Sequence, residues 1–210
     1  MGCTRVVMAD SGELLSTRLR RTTAPLHSML ERALGLPDAI RDRQDYCRLL
    51  GHFLGLYEPL ELVFQRFDDW DRMGLALASR AHVASLASDL SVLGIDLDRV
   101  PRASPWMLPD LPSFPHGLGA LYVLEGGTLG GRVILCALEE RIGGEIAGAT
   151  QFLGERGPTT GPMWQSFRAT LDAFGHARPR CCVEVLSGAD RMFRAILAWF
   201  TEHANLGIEA

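Results

Sequence analysis

His27 and Glu31 stand four residues apart in a stretch whose apolar residues recur at helical spacing, so on a helix the two side chains rise from one face. A carboxylate in that place holds one ring nitrogen, fixes the tautomer and leaves the other nitrogen basic and oriented, which is what an iron ligand needs. The same pair also fits an ordinary contact between neighbours on a helix surface. A second cluster is made of backbone. The run Tyr122-Val123-Leu124-Glu125-Gly126-Gly127-Thr128-Leu129-Gly130-Gly131-Arg132-Val133-Ile134 sets four glycines inside an apolar helical pattern. Each glycine costs a helix interior about 1 kcal/mol relative to alanine, so the four together cost about 3 to 4 kcal/mol unless something compensates. Gly126 with Gly130, and Gly127 with Gly131, form two adjacent bare strips on one side of the helix, against which a flat object such as a porphyrin face could lie. Close helix packing by small residues, or a kink, would use the same spacing.

Both clusters need helices to carry them. Leu14, Leu15, Leu19, Pro25, Leu26, Met29, Leu30 and Leu34 predict a first helix over 11–34, ending by Gly35 and Pro37, with a kink or break at Pro25 just before His27. Tyr46, Leu49, Leu50, Phe53, Leu56, Tyr57, Leu60, Val63, Phe64 and Phe67 predict a second over 40–68, which Pro59 would bend. A third, Ala/Leu-rich, is expected over 74–93 and stops at Gly94. Prolines 101, 105, 109, 112 and 115 then mark a long surface connection rather than a domain boundary. A fourth helix is expected over 115–142, closing at Gly143-Gly144. A fifth opens at Pro162 and runs to 174, and a sixth covers 180–205. There is no internal repeat and no alternating strand pattern. The expectation is an all-α, single-domain helical bundle over 11–210, preceded by a flexible N-terminus at 1–10.

Composition narrows the function. A chain of 210 residues, 47% hydrophobic and 22% charged, suits one globular domain. All 21 basic residues are arginine, and against 25 acidic ones they leave a net charge of -4, which argues against a nucleic-acid partner. The five cysteines (Cys3, Cys47, Cys136, Cys181, Cys182) have no metal spacing, and the adjacent Cys181 and Cys182 read as plain thiols. Met1-Gly2-Cys3 hints at lipidation, but Val6 stands where a myristoylation motif wants Ser or Thr. With no leader pattern and no apolar run near 20 residues, a cytoplasmic protein with no membrane partner is expected. His52, His82, His116, His176 and His203 stand apart and read as structural or exposed; Trp106, Trp164 and Trp199 read as core or interface fillers. Glu58, Glu61, Glu139 and Glu140 do not form the pattern of a di-metal oxidase. Phosphate-loop, nucleophile-elbow and dinucleotide motifs are absent.

The segment Leu19-Arg20-Arg21-Thr22-Thr23-Ala24-Pro25-Leu26-His27-Ser28-Met29-Leu30-Glu31 resembles the proximal-helix pattern of heme oxygenases. Leu121-Tyr122-Val123-Leu124-Glu125-Gly126-Gly127-Thr128-Leu129-Gly130-Gly131 resembles their distal helix, in the version of bacterial members associated with bacteriophytochromes. The likeness extends over residues 13–205 and implies a heme-oxygenase-like bundle. It implies His27 as axial ligand of the heme iron and Glu31 as its partner. Gly126, Gly127 and Gly130 become the catalytic distal segment, with Tyr122 and Gly131 also lining the heme. Arg20 falls where the family places a basic residue near a propionate. Arg191 and Arg194 are further propionate candidates, and a solvated helix face explains them equally. The main departure is Gly127, where animal-type members carry an aspartate. Glu125, one step off the glycine strip, is expected on the helix surface or in packing. The activity implied is opening of heme with dioxygen, and electrons from a separate reductase or ferredoxin, to biliverdin, ferrous iron and carbon monoxide, with a bacteriophytochrome as recipient of the pigment. A non-catalytic heme carrier or sensor is the alternative, and the missing aspartate is its best argument.

Overall fold

The computed structural model describes residues 12–154 and 157–202, which form seven α-helices joined by 3-10 turns, with no strand among them. The expected all-α bundle is therefore the observed fold. Residues 1–10, expected to be flexible, lie outside the described residues, as do 203–205 at the end of the last expected helix.

Helix α1 is Leu15–Leu34. Its first turn has no cap of its own. The N–H and hydroxyl of buried Ser16 instead donate to the two oxygens of Asp172, from a helix late in the chain, at 2.7 and 2.9 Å. The break expected at Pro25 is absent and the helix runs through it. Pro25 cannot donate to the Arg21 carbonyl, but that carbonyl belongs to an exposed residue, where water is at hand. The hydroxyls of Thr22 and Thr23 fold back on the carbonyls of Arg18 and Leu19, each at 2.8 Å, and reinforce the turn before it. Gly35, at φ 58°, ends the helix and returns its N–H to the Glu31 carbonyl.

Helix α2 (Arg43–Phe64) starts where Asp42 accepts the Asp45 N–H at 2.8 Å, while Asp45 accepts the N–H and guanidinium of Arg41, both at 3.0 Å. The third helix is shorter than expected. Helix α3 is only Val83–Val92, because Gly74 (φ 68°) closes one 3-10 turn, Leu77–Arg80 forms another, and Glu61 of α2 accepts the N–H groups of His82 and Val83 at 2.7 and 3.1 Å, which sets the new start.

Helix α4 is Phe114–Ile142. It is followed by α5 (Gln151–Gly154), α6 (Thr160–Ala177) and α7 (Cys182–Glu202). The short α5 was not expected: four residues carry no period, and its cap is Asp89 on α3, a fully buried carboxylate that accepts from the N–H groups of Gln151 and Phe152 at 2.9 and 2.8 Å. The expectation that no apolar run reaches spanning length is also corrected. By length and composition α4 could cross a bilayer, with mean hydropathy 1.4 over its most apolar window. Part of that apolarity has a packing use: residues 116–125 are buried without interruption, while 39% of the apolar window is buried.

The core is built around α4 lying against α7, with α1 also packed on α7 and α6 beside both α1 and α4. Two glycines let α4 and α7 touch backbone to backbone: a Cβ on Gly119 would lie 2.8 Å from the Val185 carbonyl carbon, and one on Gly188 would lie 2.7 Å from that of His116. Gly55 lets α2 meet Trp199 of α7, whose indole N–H donates to the His52 carbonyl at 2.9 Å. The buried aromatic and aliphatic side chains of this assembly form one continuous cluster.

Candidate functional site

On α1, the Nδ1 of His27 faces the Glu31 carboxylate at 3.4 Å, and both side chains are more than half exposed. That engages one ring nitrogen and leaves Nε2 for a metal. The ring packs edge-on against Phe193 of α7, with centroids 6.1 Å apart, which fixes its direction across the helix surface. Met29 is 48% exposed, and Leu26 and Leu30 are half-buried. The exposed side of α1 therefore carries apolar area around a nitrogen ligand.

On α4 the burial pattern changes abruptly after Glu125. Gly127, Leu129, Gly130, Arg132, Val133 and Cys136 are exposed, with Leu129 at 42% and Val133 at 72%. A Cβ on Gly127 or Gly130 would meet no heavy atom within 4 Å, and one on Gly126 would meet only the indole of Trp164, at 3.7 Å. These three glycines are thus not the contact surface of another helix. Gly131 differs from them: it is buried, and a Cβ there would lie 3.0 Å from the Leu153 carbonyl, so it seats α5 rather than facing the open side.

The two surfaces start from a common point. Tyr122 is buried on α4, and its hydroxyl approaches Thr23 of α1. From there Gly126 and Gly130 follow at helical spacing on α4, and His27 follows Thr23 at the same spacing on α1. Burial holds the Tyr122 phenol above its ordinary range, and the nearby arginines 168 and 20 and Thr23 act the other way. The exposed guanidiniums of Arg168 and Arg20 are thus near enough to Tyr122 to act on its phenol. Arg20 was expected there, and Arg168 of α6 was not. Its signal was available in sequence: it lies four residues beyond Trp164, so once α6 is a helix both fall on one face.

Arg191 and Arg194 are each paired with an acidic side chain. Arg191 donates to the carbonyl and carboxylate of Asp110 at 2.8 and 2.6 Å, beside His116 near the start of α4. That is about 15 Å along the helix from Gly126 at 1.5 Å per residue. Arg194 is held by Asp190 of its own helix at 2.7 Å. Glu125, expected on the surface or in packing, is neither exposed nor apolar in its contacts: it is 1% exposed and paired with buried Arg80 at 2.7 Å. Trp164, expected as a filler, is half-buried, stacked on Phe167 and tilted against Tyr122 with centroids 5.3 Å apart. Trp199 is core as expected, whereas Trp106 is 76% exposed. His52, His82 and His116 are buried and His176 exposed; His203 is outside the described residues. Cys181 and Cys182 are half-buried free thiols.

A heme fits what is present. Its iron asks for one axial nitrogen, its faces for apolar and bare backbone surfaces, and its propionates for cations. His27 would supply the first, and Gly127 and Gly130, which no side chain covers, the second. Arg20 and Arg168, near Tyr122, would supply the third. Among the described residues no group of three or more His, Cys, Asp or Glu side chains converges as an all-protein metal site would.

An all-α bundle with one histidine on its first helix and an uncovered glycine segment on its central one is the class that the geometry defines. No protein-family model matches the chain. It is similar to a heme oxygenase of Xanthomonas campestris pv. campestris (strain 8004), 34% identical over 157 residues, which cover 72% of this chain and 86% of that protein. At that identity and coverage, the chain belongs to the heme oxygenase family.

Proposed function

We propose that the protein is a catalytic heme oxygenase that holds heme between α1 and α4 and opens it to biliverdin, ferrous iron and carbon monoxide. The observation that carries the reading is the uncovered segment at Gly126, Gly127 and Gly130. Gly127 and Gly130 have no protein atom near a Cβ and Gly126 meets only the rim of Trp164; a folded helix keeps such costly glycines where something else must come close.

When bound, heme supplies the iron, the site of oxygen activation and the carbon that is oxidised. The chain's own residues position and shield. His27 would ligate through Nε2, with Glu31 holding Nδ1 and keeping the ring basic. Phe193 and the apolar side of α1 would exclude water from one face. Gly126 and Gly130 leave space on the other, with backbone in place of side chains. Arg20 and Arg168 would pair with the propionates as charged forks. Gly127 carries no carboxylate, so protons on that side must travel through water and backbone groups.

The chain offers no motif for a flavin or nicotinamide, so electrons would come from a separate reductase or ferredoxin. The resemblance of the 121–131 segment to bacteriophytochrome-associated members makes a bacteriophytochrome the proposed recipient of the bilin, and the cytoplasm the proposed compartment. The same absence of a carboxylate at Gly127 is the observation that favours a second reading, a heme carrier or sensor.

The deciding experiment adds hemin to the protein, supplies ascorbate or a ferredoxin system in air, and follows the visible spectrum beside His27→Ala. A Soret band that decays into bilin absorbance in wild type, and fails to form normally in the variant, is the expected result. Heme that binds through His27 yet persists under a competent donor gives the carrier or sensor reading its place.

A further inference from the structure

A buried ion pair sits immediately before the glycine segment. Arg80, at the end of the 3-10 turn Leu77–Arg80, and Glu125 of α4 meet at 2.7 Å with side chains 7% and 1% exposed. The Arg80 guanidinium also lies over the Phe167 ring, 5.4 Å from its centroid. Phe167 is fully buried and stacks with Trp164 at 6.0 Å and 26°. Trp164 in turn covers the edge of Gly126 and leans on Tyr122. One turn further, the Thr128 hydroxyl donates to the Glu125 carbonyl at 2.7 Å. A continuous line of contacts thus runs from the ion pair to the first residue of the open wall.

Stability gives no reason for charges there. Burying both is costly, and well-packed apolar side chains of like volume are often as stable or more so. What the pair supplies is location: attraction draws Glu125 to a guanidinium that is itself held over Phe167, although its Nε and Nη1 make no hydrogen bond among the described residues, whereas apolar side chains slide. We propose that Arg80 and Glu125 are a positioning pair that fixes the rotation of α4 at the end of its continuously buried stretch and seats Trp164 at Gly126, so that the glycine wall meets heme in one register. This rests on the heme-binding reading above.

The test compares Glu125→Gln and the double variant Arg80→Met with Glu125→Met, in the full chain. The ligand-free readouts are thermal unfolding and amide hydrogen exchange over 126–133. With hemin added, the readouts are the position of the Soret band and its dependence on pH. The single change should lower the melting temperature clearly. The double change should restore it to within about 5 °C, yet leave 126–133 exchanging about tenfold faster than wild type and the pH midpoint of the Soret band displaced. A double variant that matches wild type in exchange and in Soret behaviour overturns the proposal, since the pair would then only fill space. Should the double variant not fold, Arg80→Lys keeps the charge but loses the guanidinium held over Phe167, and carries the same readouts; unchanged exchange in it counts against the proposal. If wild type gives no Soret band with hemin, the heme reading fails, while the ligand-free exchange still decides whether the pair positions the segment.

Discussion

In the first half of α4, residues 114–125, glycine marks the places where a neighbour arrives: Gly117 faces Phe67, and Gly119 faces the backbone of α7. In the second half, Gly127 and Gly130 face open space, and Gly126 meets only the rim of Trp164. Both halves lose the same helix propensity per glycine. In the first, packing with α7 offsets the loss within the folded chain. In the second, Gly131 is offset by α5, whereas nothing among the described residues offsets Gly127 and Gly130, which is what the heme-binding proposal would explain. Glycine spacing by itself does not distinguish a helix interface from a binding face; the side that the backbone presents does.

The sharpest way to break this comparison is to fill the two kinds of glycine with the same methyl group. Gly119→Ala pushes a Cβ into the Val185 carbonyl, where backbone and not a pliable side chain must yield, so a loss of about 3 kcal/mol or more is expected in chemical denaturation. Gly130→Ala has the opposite sign. With nothing within 4 Å of the new Cβ, the ligand-free protein should gain up to about 1 kcal/mol, while hemin titration shows weaker binding. A destabilised Gly130→Ala would remove the argument that this half waits for a ligand. Gly131→Ala is intermediate: the Leu153 carbonyl at 3.0 Å must retreat slightly, and the net change should stay within about 1 kcal/mol of zero, because the steric cost opposes the gain in propensity.

A smaller effect separates the halves by pH. His116, in the buried half, has its pKa lowered by burial and by the charge of Arg191, with Glu184 acting against them. A folded pKa below the unfolded one means that the unfolded chain binds more protons, so the stability present above the ordinary histidine range is lost as pH falls through it toward the folded value. The acid limb of an unfolding-against-pH curve should therefore contain a step that His116→Gln removes, and the exchange of amides 126–133 should not share it.

Much of this was legible in sequence, for reasons tied to particular residues. The long helices announced themselves by period, and the two motifs placed His27 and Gly126 on separate elements of one bundle. What escaped were features whose cause lies far away in the chain. The front of the expected third helix is replaced by turns because Glu61 caps its N-terminus from α2, and α5 exists because Asp89 caps it from α3. Of the two places expected for Glu125, surface or packing, it takes the buried one, and helical phase could not tell that an arginine 45 positions earlier waits there. Arg191 and Arg194 had the right charge for propionates, and what charge alone did not tell is that each also pairs with an acid, Asp110 or Asp190.

The tie between Ser16 and Asp172 gives α1 a mechanical character. A rod pinned by two bonds at its first turn is fixed at that end, and any rotation about the pin would displace it in proportion to distance. His27 lies roughly 16 Å along at 1.5 Å per residue, so a swing of about 10° would carry it about 3 Å. The lever arm puts the largest travel where a flat guest would enter, and its fulcrum is α6, the helix that also bears Trp164 and Arg168.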